Sequence, residues 1–179
     1  PEGFLTSEEI TTFVKRALSS IDVTSKKVLL IVPDATRSCP MPLLLPLIEE
    51  QLSDASSITA LIALGTHAAM TEIEINNFFA AGKSVSEVYP SITFINHEWW
   101  KPETFNEIGL ITSEQLRDIS VGRLDREVPV LINKLVTDSD LVLIVGPVFP
   151  HEVVGFSGGA KYLFPGVSGK QMIDTSHWL

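Results

Sequence analysis

Four segments of this chain carry side chains able to do chemistry, and the densest lies between His151 and His177. It reads His151-Glu-Val-Val-Gly155-Phe-Ser157-Gly158-Gly159-Ala-Lys161, with His177 following near the end. An imidazole titrates near neutral pH and can act as general acid or base. Glycines let a backbone approach a ligand closely and offer N–H groups to an anion. A lysine supplies an electrostatic clamp or a covalent amine, and a further imidazole suits nickel, zinc or copper. Plainer alternatives stand beside each reading: a generic glycine turn, an exposed lysine, and a histidine on a frayed tail. The GxxxxGK[ST] spacing of a Walker loop is absent.

The other segments are shorter. Asp34-Ala-Thr-Arg37 places a carboxylate, a hydroxyl and a guanidinium within one loop, and arginine in a cleft suits bidentate capture of a carboxylate. The alternative there is a turn capped by Asp34, with Arg37 paired to it in solvent. His67 follows an apolar run and Gly65; it reads as an acid or base, or as an ordinary residue at the start of a helix. His97, in Asn-His-Glu-Trp-Trp, is a candidate ligand for which a structural role is the favoured reading.

The elements that must position these residues alternate. An amphipathic helix is expected over residues 7–19, with Ser7 as N-cap. Strands are expected at 27–32 (KVLLIV), 57–64, 92–96 and 140–145 (DLVLIV), and helices at 41–53, with Pro46 a candidate kink, and from near Thr71, where Thr71 and Glu74 fit a capping box. Residues 98–127 form an irregular excursion expected to carry a β-hairpin, and 128–137 read as a helix or as a strand leading into one. The alternation predicts an α/β, Rossmann-like fold: a parallel sheet, or a mixed one, with helices on both faces. In such sheets ligands bind beyond the carboxyl ends of the strands. Asp34, His67, His97 and His151 each follow an expected strand, so they are expected to converge on one crevice.

Bulk properties narrow the partners. The 179 residues are expected to form one domain, with 45% hydrophobic and 20% charged residues, an ordinary globular composition. A net charge of −9 argues against binding nucleic acid or an anionic membrane non-specifically. No apolar run approaches a membrane span and no signal peptide is evident. The single cysteine, Cys39, excludes an internal disulfide and, with these features, points to a cytoplasmic protein. The abrupt ending after His177-Trp-Leu suggests a piece of something longer.

Together, Asp34-Ala-Thr-Arg37, Ala63-Leu-Gly-Thr-His67-Ala-Ala-Met70 and His151 to Gly166, with its Gly-Phe-Ser-Gly-Gly-x-Lys core, resemble the N-terminal catalytic domain of the nickel-dependent lactate racemase family. The resemblance runs from about residue 26 to the end, and 98–127 adds little to it. It implies a racemase or epimerase of a lactate-like 2-hydroxy acid. The implied cofactor is a nickel-pincer nucleotide, the pyridinium-3-thioamide-5-thiocarboxylic acid mononucleotide, which accepts and returns a hydride. Carried over, Lys161 is the attachment lysine and His177 the nickel ligand, while His67 and His151 are the paired bases. Asp34 and Arg37 orient a base and bind substrate, and Gly155, Ser157, Gly158 and Gly159 pass close to the cofactor. The implied partners are cofactor-building enzymes, without which the site is expected to be empty, and a second domain of comparable size. The chain alone is therefore expected to be inactive. After Arg37 the sequence is Ser-Cys-Pro-Met-Pro, where many members place proline directly after the arginine, so the substrate end of the pocket is expected to differ.

Two rivals remain at this point. A metal-dependent hydrolase would use some of Asp34, His67, His97, His151 and His177 around zinc or a similar ion, and needs three protein ligands and an open water position. A non-catalytic small-molecule or anion-binding domain would use the glycine loop and helix N-termini.

Overall fold

The computed structural model describes residues 3–151 and 155–178. Its centre is a four-stranded parallel sheet built from β1 (Lys27–Pro33), β2 (Ser57–Ala63), β3 (Ile92–Asn96) and β6 (Leu141–Ile144), in the order β3-β2-β1-β6. Every residue of β1 after Lys27 is buried, which explains why its sequence is a continuous apolar run rather than an alternating one.

Side chains still alternate between the faces. Val28, Leu30 and Val32 of β1, with Ile58, Ala60 and Ile62 of β2, join a core completed by Leu45, Ile48, Leu52 and Phe79. That core is closed by α2 (Met41–Gln51) and α3 (Glu72–Ala80), with α1 (Ser7–Leu18) outside α2. Leu29, Ile31 and Leu61 point the other way and pack with Ile132, Tyr162 and Val167. The cover on this second face comes from β5 (Val128–Asn133), α6 (Lys134–Thr137) and a 3-10 turn at Gly159–Tyr162.

Local signals match the structure in most places, with instructive exceptions. The N-cap of α1 is Thr6 rather than Ser7: the Thr6 hydroxyl accepts from the Glu9 amide, while the Glu9 carboxylate accepts from the Thr6 amide. Thr71 and Glu74 form the same box at α3. α2 runs on through Pro46 as one helix. The excursion holds β4 (Phe105–Ile111) and α5 (Ser113–Ile119), and α4 (Val85–Val88) precedes β3. The expected hairpin partner lies outside 98–127: β4 pairs antiparallel with β5, so residues 128–137 are a strand leading into a helix. No helix among the described residues is long and apolar enough to cross a membrane.

β5 also fastens the carboxyl-terminal segment. Asn133 donates its amide to the Val167 carbonyl at 2.9 Å, and Gly169 donates to the Leu131 carbonyl at 2.9 Å. His97 sits beneath this seam, fully buried. Its Nδ1 accepts from the Asn133 side-chain amide at 3.1 Å, and its Nε2 donates to the Ser168 carbonyl at 3.2 Å. Phe105 meets the ring edge-on at 5.6 Å. Burial pushes this imidazolium down from its ordinary 6.5 to about 4.

The consequence for stability has a definite sign. Between pH 6.5 and about 4 the unfolded chain takes up a proton on His97 while the folded chain does not. Stability is therefore present in full above pH 6.5 and falls on acidification through that window, by about 3 kcal/mol in all. Denaturant midpoints should drop more steeply between pH 6.5 and about 4 in the wild type than in His97→Gln. Parallel profiles would show that His97 does not titrate this way.

Candidate active site at the ends of three parallel strands

The chain order of the sheet reverses at β1. From β1 it passes to β2 and β3 on one side and later returns to β6 on the other, so the crevice beyond β1 and β6 is a switch point. A cleft of about 220 Å³ opens there. Asp34 and Arg37 reach it from the loop after β1, His67 from the loop after β2, and Gly146 and Pro147 follow β6 nearby. His151, Ser157, Gly158, Lys161 and His177 complete the far wall. Gly65 donates its amide to the Gly166 carbonyl at 2.9 Å, tying the His67 loop to the wall opposite.

Asp34 is the anchor. Only 4% of it is exposed, and a buried carboxylate must be hydrogen-bonded to be tolerated. Its Oδ1 accepts from the Thr36 amide at 3.2 Å and the Thr36 hydroxyl at 2.6 Å. Its Oδ2 lies 2.5 Å from His67 Nδ1. That contact holds the proton of the neutral ring on Nδ1 and leaves the Nε2 lone pair for a ligand, as in any carboxylate-oriented imidazole base. Trp99 donates its indole N–H to the His67 carbonyl at 3.1 Å and steadies the loop.

The simple alternative of an Asp34–Arg37 pair is not what forms. Asp34 spends its oxygens on Thr36 and His67, and the exposed Arg37 side chain has no ion-pair partner among the described residues. A guanidinium that lines a cleft without an internal carboxylate is chemically suited to take up an anionic group.

The glycine-rich segment divides its work. His151 and Gly155 pair in the two-residue ladder of β7 (Pro150–His151) and β8 (Gly155–Phe156). Gly158 has φ +82°, and a Cβ there would collide with the Pro147 carbonyl, so only glycine fits. Gly159 opens the 3-10 turn that presents Lys161. Gly155 and Gly159 therefore shape the wall without lining the cleft, unlike Ser157 and Gly158. His97 does not join the convergence either, since it is sealed under β5.

His177 lies on α7 (Lys170–Trp178), a helix absent from the sequence expectations. Its Nδ1 donates to the Ile173 carbonyl at 2.7 Å, which leaves Nε2 as the donor atom for a metal. Among the described residues no three His, Cys, Asp or Glu side chains are grouped to hold an ion. A hydrolytic site with three protein ligands is therefore not built from them. One oriented imidazole fits a metal whose remaining donors arrive with an organic ligand.

Sequence reasoning overlooked Tyr162, Phe149 and Ile173, which also line the cleft. A signal for Tyr162 existed in Gly146, two residues past the end of β6: a Cβ there would overlap the Tyr162 phenol.

Comparison with known proteins bears on the family and the fold. The model of the lactate racemase N-terminal domain matches residues 9–179. The lactate racemase of Thermoanaerobacterium thermosaccharolyticum is 29% identical over 155 residues, covering 85% of this chain and 32% of that protein. That of Lactiplantibacillus plantarum is 25% identical over 154 residues, covering 84% and 32%. Among solved structures, a Thermotoga maritima protein superposes with a TM-score of 0.85 at 29% identity, covering 97% of this chain and 41% of that one. The lactate racemase apoprotein from T. thermosaccharolyticum superposes with a TM-score of 0.68 at 28% identity, covering 92% and 38%. The chain spans about a third of the length of these curated relatives. With a family model covering nearly all of it and the same α/β fold, the chain belongs to the lactate racemase N-terminal domain family.

Proposed function

We propose that this chain is the cofactor-binding part of a longer two-domain racemase or epimerase acting on a 2-hydroxy acid. The observation that carries this reading is the Asp34–His67 dyad, at 2.5 Å, opening on the cleft that also holds Arg37, His151, Lys161 and His177. Full-length relatives about three times as long support the two-domain organisation.

Lys161 would hold the nickel-pincer nucleotide covalently, His177 Nε2 would ligate its nickel, and Ser157 and Gly158 would border it. When bound, that group supplies a hydride acceptor and donor. The chain's own residues do the rest. Arg37 fixes the substrate carboxylate, which limits motion to the reacting carbon. His67 Nε2 takes the hydroxyl proton, and the buried Asp34 carboxylate stabilises the resulting imidazolium. His151 takes the same part for the mirror-image substrate and returns the proton at the end.

The test is turnover of single enantiomers of lactate and other 2-hydroxy acids in deuterated water. It uses full-length protein produced with the cofactor-building enzymes. Racemisation with the carbon-bound hydrogen retained is the expected result. Wash-in of solvent deuterium at that carbon would point to proton abstraction and overturn the hydride reading.

A further inference from the structure

Tyr162 lies in the same wall as Lys161, and nothing above gives it a task. It is 8% exposed and packs with Leu29, Ile31 and Leu61 beneath the sheet, yet it also lines the cleft. Its ring rests against Gly146, where any Cβ would overlap the phenol. The strand end after β6 is thus shaped to admit this side chain. No described residue hydrogen-bonds the phenol hydroxyl, while no sealed side-chain N or O among the described residues lacks a partner. The hydroxyl is therefore not sealed; it opens into the cleft. Arg37 and Asp34 line the same cleft, and the Cys39, Arg37 and Asp34 groups all act on the phenol electrostatically. Asp34 does not need it, because both Asp34 oxygens are already engaged.

Resting on the 2-hydroxy acid reading, we propose that Tyr162 is a substrate-binding residue whose hydroxyl donates a hydrogen bond to the carboxylate held by Arg37. A buried donor opposite a charged acceptor contributes to affinity and orientation without taking part in proton transfer. Burial pushes the phenol up to about 12, so it stays a donor across the pH range of any assay.

The experiment uses the full-length, cofactor-loaded protein with Tyr162→Phe, which keeps the ring and its packing. Two quantities are read: KM and kcat for the turned-over 2-hydroxy acid, and calorimetric affinity for lactate and pyruvate. KM and Kd should rise about 10- to 100-fold, with kcat changed much less and the Lys161 modification intact. Gly146→Ala, which displaces the phenol, should raise KM in the same way. Unchanged KM and Kd in Tyr162→Phe, with an active wild type, would overturn the Tyr162 proposal alone. A loaded wild type that neither turns over nor binds any 2-hydroxy acid would overturn the racemase reading, and this proposal with it.

Discussion

Full-length, cofactor-loaded protein carrying His67→Ala should lose racemisation by about 10²–10⁴-fold while keeping its fold and its cofactor. His67 is about half exposed on its loop and contributes no core packing, so the change removes chemistry rather than structure. Asp34→Asn separates the base from its orientation. An amide at that position leaves the imidazole in place but no longer fixes its proton on Nδ1, so turnover should again fall by about 10²–10⁴-fold. The same substitution would also weaken the contacts to the Thr36 amide and hydroxyl, costing about 1–3 kcal/mol of stability. Turnover measured beside thermal unfolding separates the two effects. Racemisation retained in His67→Ala would remove this histidine from the mechanism.

The second large effect falls on loading. Lys161→Ala should give a folded protein that carries neither nucleotide nor stoichiometric nickel and shows no turnover. The 3-10 turn at Gly159–Tyr162 is held by backbone bonds, Lys161 amide to Gly158 carbonyl at 3.1 Å and Gly166 amide to Lys161 carbonyl at 3.0 Å, so the side chain can go without loss of the turn. His177→Ala should differ: the nucleotide stays attached through Lys161 while nickel content falls. Metal analysis together with intact mass distinguishes the two variants. Normal nickel in Lys161→Ala would contradict the attachment role.

Much of this site could be read from sequence because strand ends are easy to recognise. Four apolar runs placed Asp34, His67 and His151 at equivalent positions, and a parallel sheet brings such positions together. The same rule misplaced His97. It also follows a strand, but β5 folds over it, and the β4–β5 pairing that creates this cover joins segments with no local sequence mark. Residue types alone did not pair Asp34 with His67, and only the family resemblance had Asp34 orient a base: Arg37 is three residues from Asp34 and His67 is 33, yet the nearer charge loses to the geometry of the loop. Tyr162 escaped because a buried tyrosine reads as core, and only the folded structure shows that this core residue also lines the cleft.

The most direct test of the central claim is peptide mass spectrometry of the full-length protein co-expressed with cofactor-building enzymes, combined with a nickel assay. A nucleotide-sized addition on the Lys161 peptide, with about one nickel per chain, is the predicted result. An unmodified Lys161 peptide, in an experiment where a lactate racemase treated in parallel is loaded, would contradict it.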